Sequence, residues 1–221
     1  MKIQYLGDSR DSFKLDYLDY LTSSLGYQTL NIVPMLTHDD NSKAGETKPE
    51  LFPARKQIIN FCHELREQKD IQLLKKLPSV TGSPYIVELH KGETYFNATA
   101  RKEYFSEISV KNRQVLFFDP DIGFEPEKSK TEKHILYSDI DTILKRTLDD
   151  TVVSVFQHFN RIAFDKYFAR IKERLPSSYA TAIYWNAAVM FVDICKTEEM
   201  RDRVREVNYI YSQDHPVTLL Q

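Results

Sequence analysis

Hydrophobic positions along the chain switch repeatedly between a helical and an extended period. Phe13, Tyr17, Leu18, Leu21 and Leu25 recur at helical spacing after Gly7-Asp8-Ser9-Arg10, which predicts a helix that Gly26 stops. Asp8 or Asp11 supplies its cap, because a short carboxylate accepts from the free amides of a first turn. Thr29–Val33 reads as a short buried strand, and the polar stretch 34–49 as a long loop. The pattern then predicts helices over 52–68 and 71–77, a strand over 85–89 and a helix over 101–108. Gln114–Phe118 is the clearest buried strand. Beyond it the spacing gives a helix over 138–148, a strand over 151–156 and an amphipathic helix over 161–175. The runs 180–185 and 187–194 read as one bent strand or a hairpin pair, followed by a charged helix over 197–211. Strands alternating with helices predict an α/β fold: a Rossmann-like, mostly parallel sheet with helices on both faces and an antiparallel C-terminal strand.

Composition narrows this picture. A chain of 221 residues, 42% of them apolar, suits a single domain, residues 1–221, with a substantial core. Thirty basic and 32 acidic residues leave a formal charge of -2, so no overall field draws in nucleic acid. Cys62 and Cys195 are too few and too far apart for a disulfide framework or a zinc knuckle, and their apolar neighbours predict inert thiols. No apolar run approaches the roughly 20 residues that span a bilayer, and residues 1–5 lack a signal-peptide core. A cytoplasmic protein without a membrane partner is the expectation.

Candidate chemistry gathers at predicted strand ends, where open α/β sheets bind ligands. After Phe117-Phe118 the chain turns polar in Asp119-Pro120-Asp121-Ile122-Gly123-Phe124-Glu125. Pro120 stiffens this turn and Gly123 permits a backbone conformation other residues avoid. Asp119, Asp121 and Glu125 have the hard oxygens a divalent metal needs, or they accept protons from a substrate amine. A second cluster, Gln157-His158 with Arg161, follows the strand over 151–156: Gln157 and His158 as ligand contacts, Arg161 as a phosphate or carboxylate binder. A third, Gly7-Asp8-Ser9-Arg10-Asp11-Ser12-Phe13-Lys14, mixes caps and charges at a helix entrance, with Asp8, Asp11 and Lys14 as the binding candidates. The fourth, Thr81-Gly82-Ser83-Pro84, reads more simply as a turn. No glycine-rich phosphate cradle, G-x-S-x-G turn or H-E-x-x-H helix occurs.

Three of these segments resemble a known family. Gly7, Asp11 and Lys14 keep the spacing of the G-N-x-A-D-V-L-K segment of the RlmJ-type ribosomal RNA adenine-N6 methyltransferases. Thr81-Gly82-Ser83-Pro84 is similar to a P-G-S-P turn of that family, and Phe118-Asp119-Pro120-Asp121 falls where it carries D-P-P-Y. The three matches run in the family's order and cover under a tenth of the chain. The resemblance implies S-adenosylmethionine as cofactor and a nucleobase amine as substrate. It also implies that Asp119 accepts from that amine and that Phe124 stacks on a flipped base. Asp121 stands in place of the second proline, Ile122 in place of the aromatic residue, and no glycine-rich donor loop follows the first strand.

The sequence thus leaves three classes open. One is a methyltransferase-like protein, active or degenerate, with Asp119, Asp121 and His158 as catalytic residues and a nucleic acid or small amine as partner. Another is a phosphodiesterase or nuclease using magnesium or manganese on Asp119, Asp121 and Glu125, with His158 as acid or base. The last is a non-catalytic interaction protein.

Overall fold

A computed structural model describes residues 1–41, 47–186 and 188–220. The predicted α/β order holds throughout. Helix α1 (Ser9–Ser24) leads into β1 (Thr29–Val33), and α2 (Lys56–Gln68), a 3-10 turn and α3 (Leu77–Thr81) lead into β2 (Ile86–Leu89). Next come α4 (Arg101–Ser106), β3 (Gln114–Phe118), the short strands β4 (Gly123–Phe124) and β5 (His134–Ile135), α5 (Tyr137–Arg146) and β6 (Val152–His158). The chain continues through α6 (Phe164–Arg174), β7 (Tyr179–Trp185), β8 (Val189–Cys195), α7 (Glu198–Asp214) and β9 (Val217–Leu220). Part of the predicted loop over 34–49, residues 42–46, lies outside the described residues.

Seven strands form one sheet in the order β2-β1-β3-β6-β8-β7-β9. β2, β1, β3 and β6 pair in parallel, while β8 inserts antiparallel between β6 and β7 and β9 adds antiparallel to β7. Alternate residues of each strand face opposite layers. Val115, Phe117 and Phe156 pack with α1, α2, α3 and α7. Leu116, Phe118 and Val155 pack with α4, α5 and α6. Both Cys62 and Cys195 are buried, and burial pushes the Cys62 thiol up to about 12. No helix among the described residues is long and apolar enough to cross a membrane.

Two features of this frame position the site. The connection from β1 to β2 packs on one face of the sheet, and that from β3 to β6 on the other, so the chain reverses direction between the adjacent strands β1 and β3. Such a reversal opens a crevice at the carboxyl ends of the strands. Secondly, α1 is buried nearly all round, charges included: Asp8, Asp11, Lys14, Asp16 and Asp19 are all interior. Buried charges persist only when paired and hydrogen-bonded, and α1 meets that demand at both ends. Asp16 holds the Arg55 guanidinium and the Tyr211 hydroxyl, and Asp19 accepts from Thr81, Ser83 and Tyr85. Thr81-Gly82-Ser83-Pro84 is therefore a structural turn docked on α1.

Candidate functional site

The N-terminal end of α1 points at the carboxyl ends of β3 and β6. Asp8 caps the helix, its Oδ1 accepting from the amides of Arg10 and Asp11 at 2.8 and 3.0 Å. Three and four residues on, a helix returns to the same side, and there Asp11, Arg10 and Lys14 border a cavity of about 250 Å³. Asp119, Asp121, Ile122, Phe156 and His158 form its opposite wall, and Met1, Lys2, Tyr5 and Lys133 its rim. The three segments singled out in the sequence, after β3, at the end of β6 and before α1, thus share one cleft.

Lys14 lies at the centre. Its ammonium donates to Asp11 Oδ1 and Asp119 Oδ2, each at 2.7 Å, and sits 4.7 Å from the centroid of the Phe156 ring. Burial alone would depress its pKa, but the two carboxylates outweigh that and hold the ammonium charged above its ordinary range. One of its three N–H donors remains for the cavity. Burial raises Asp119 despite Lys14. Asp8 is pushed up to about 7, first by burial and then by the neighbouring Asp11. His158 goes the other way: burial, reinforced by Arg10, Lys14, the N-terminal amine and Lys2, holds its imidazole well below the usual histidine range. At neutral pH the cavity therefore presents a carboxylic acid poised to give up a proton and an imidazole held neutral, able to accept a hydrogen bond but reluctant to take a proton.

The rim is cationic, and only its pairing with Asp121 is loose. Lys2 and Lys133 each stand 3.5 Å from Asp121, well beyond the 2.7 Å of the Lys14 contacts, and Lys2 also holds Asp40. Arg10 forms no ion pair with a described residue. Behind the rim, the Met1 amine donates to the carbonyls of Met35 and Asp119 at 3.3 and 3.2 Å, and the Met1 carbonyl accepts from Thr37. Met1-Lys2 thus occupies the crevice between β1 and β3.

Not every residue proposed from sequence reaches this cavity. Phe124 is buried and stacks on Tyr137, so its ring has no open face for a base. The Gln157 carboxamide accepts from the Phe124 amide and donates to the carbonyls of Ile122 and His158. It latches the loop after β3 onto β6 rather than facing a ligand. Arg161 is exposed on a left-handed backbone, φ 68°, and does not line the cavity. Glu125 accepts from the Tyr137 amide and lines a different cavity, so Asp119, Asp121 and Glu125 do not meet as one ligand set. Among the described residues no three His, Cys, Asp or Glu side chains group closely enough to hold a metal ion. The sequence reading missed Arg10, Lys2, Lys133 and Phe156. For Arg10 a signal existed, since it precedes Lys14 by four residues on one helix side.

The latch makes a testable demand on Gly123. Its φ is 131°, and a Cβ there would overlap the Gln157 carboxamide. Gly123→Ala should cost about 1–3 kcal/mol through this overlap, read as a lower urea midpoint. Gly82→Ala, with open space around it, serves as the comparison, since its φ of 74° carries backbone strain without a clash. Equal losses for the two would remove the latch from the argument.

No protein-family model matches this chain, and no curated protein matches it either.

Proposed function

We propose that this Rossmann-like α/β domain is a phosphoester hydrolase acting in the cavity between the start of α1 and the ends of β3 and β6. The supporting observation is the assembly, in one small cleft, of an acid near neutrality (Asp8), a neutral imidazole (His158), a fixed ammonium (Lys14) and a guanidinium in no ion pair with a described residue (Arg10). In this reading neutral His158 accepts a hydrogen bond from the attacking water, whose proton passes to a non-bridging phosphoryl oxygen as the water oxygen bonds to phosphorus. The P–O bond to the departing alcohol breaks, and Asp8 delivers a proton to that oxygen through Oδ2, since both capping bonds fall on Oδ1. Arg10 and Lys14 hold the charge that collects on the non-bridging oxygens. Asp119 keeps Lys14 in place.

Methyl transfer to an amine is the second reading, and the 2.7 Å Lys14–Asp119 contact favours it by joining two segments on which the family resemblance rests. Asp119 Oδ1, which no described donor reaches, would then accept from the amine. Two observations weigh against it. Met1-Lys2 lies in the crevice beside the end of β1. The cavity itself, about 250 Å³, also falls below the roughly 300–1,000 Å³ of small-molecule sites, so it does not enclose donor and acceptor together.

A thermal-shift panel of inorganic phosphate, a nucleoside monophosphate, adenosine and S-adenosylmethionine separates the two, alongside p-nitrophenolate release from aryl phosphates with EDTA, magnesium or manganese. The expected result is stabilisation by the phosphate-bearing ligands and turnover of an aryl phosphate. Arg10→Ala should weaken phosphate binding about tenfold or more, since a hydrogen bond to a charged group contributes about 1.5–3 kcal/mol. Stabilisation by S-adenosylmethionine alone would establish the second reading instead. No ligand and no turnover would overturn both and leave an interaction protein.

A further inference from the structure

The cavity does not end at its rim. Ile122 and Lys133 also line an adjoining, more open recess of about 830 Å³. That recess lies along the excursion between β3 and α5, whose two ends are held together by the pairing of β4 with β5. Its walls combine apolar surface from Ala98, Ile122 and Leu136 with the cationic groups of Arg101, Lys130 and Lys133. Among the described residues Glu132 is the one carboxylate lining it. Arg101 is committed to Asp139 and the His134 carbonyl, but Lys130 reaches Glu125 only at 3.8 Å and Lys133 reaches Asp121 only at 3.5 Å. Both lysine side chains are well exposed, at 64% and 38%.

A phosphomonoester could be held in the inner cavity alone and would leave this recess unused. We propose that the substrate is a phosphodiester bearing an organic group on each side, its phosphate over His158 and its second group, of nucleoside size, in the recess beyond Lys133. The inference rests on the phosphoester reading and narrows its substrate class. Hydrolysis then adds water across one P–O bond and yields a phosphomonoester and an alcohol. Asp121, set between Lys2 and Lys133, occupies the ammonium groups until the diester's charge replaces it.

The test compares a dinucleoside monophosphate with a nucleoside monophosphate by calorimetric titration, and bis-p-nitrophenyl phosphate with p-nitrophenyl phosphate by kcat/KM. The full chain and the Lys133→Ala, Lys130→Ala and Asp121→Asn variants are measured, with melting temperatures as a check on folding. The diester should bind at least tenfold more tightly than the monoester. Lys133→Ala should shrink that preference severalfold, and Asp121→Asn should tighten diester binding. Lys130→Ala should act in the same direction as Lys133→Ala. If both ligands bind alike and Lys133→Ala moves them equally, the recess plays no part, although the phosphoester reading stands. If neither ligand binds and neither ester turns over, that reading itself has failed. Weaker diester binding in Asp121→Asn would place Asp121 on the ligand and overturn its assignment as a displaceable counter-ion.

Discussion

Lys14→Met should lower folding stability by about 3–5 kcal/mol at pH 8, the usual cost of removing one partner from a buried ion pair. The ammonium is the shared donor of Asp11 and Asp119, both interior, and the variant leaves two carboxylates facing each other without a cation. Methionine keeps most of the side-chain volume against Phe156, so the loss reports charge rather than a void. The loss should also depend on pH. Without Lys14 the folded pKa of Asp119 rises further above its unfolded value. Stability is then fullest below the unfolded carboxylate pKa, near 4, and is lost as pH rises through the folded one. Urea unfolding at pH 4.5 and pH 8 should therefore show a much smaller difference between variant and parent at the lower pH. A loss of equal size at both would mean that Lys14 contributes packing alone.

That cluster also shows what a linear sequence discloses and what it withholds. The stripe Phe13, Tyr17, Leu18, Leu21 predicted α1 but carried no information on the polar residues between them, whose side α7, α2 and the sheet bury too. Periodicity reports which positions are apolar; it is silent about polar groups that pair across the core. Lys14 and Asp119 are 105 positions apart, and only the topology brings them together. β1 and β3 were legible to the residue, because five consecutive buried positions bounded by polar turns have few alternatives. β6 runs two residues further than its β-branched stretch, which carries His158 to the rim. The helix predicted over 52–68 begins only at Lys56, after Pro53, whose ring cannot sit inside a helix.

Other misses have identifiable physical origins. β4 and β5 are two residues each, too short for any period to register, whereas β9 supplies the antiparallel C-terminal strand that was expected. Phe124 was a stacking candidate through the family resemblance alone. Gly123 instead turns the chain so that Gln157 can seize the Phe124 amide, and the ring swings under Tyr137. The strand predicted at 85–89 is present as β2, and the sequence did not disclose that it lies at the sheet edge with Ile86 56% exposed. An edge strand and a central strand share the same apolar residues, and only strand order tells them apart.

Asp8→Asn should reduce kcat/KM for an aryl phosphodiester about 10²–10⁴-fold, the usual range for losing a general acid. Asparagine keeps a side-chain oxygen for the amides of Arg10 and Asp11, so the cap on α1 survives and folding is a fair control. The proposed hydrolysis needs Asp8 protonated and His158 neutral. His158 loses its proton well below its ordinary value, while Asp8 holds its own up to about 7. Activity should therefore be level in mildly acidic solution and fall as pH rises past about 7. In Asp8→Asn that falling limb should vanish from whatever activity remains. Stability supplies the second readout. A carboxyl whose folded pKa is raised stabilises the fold fully below its unfolded pKa, and that contribution is lost as pH climbs through the folded value. The parent should accordingly lose stability relative to Asp8→Asn between about pH 4 and about 7. A rate profile whose limb persists in the variant would assign the titration to another group and remove Asp8 from the chemistry.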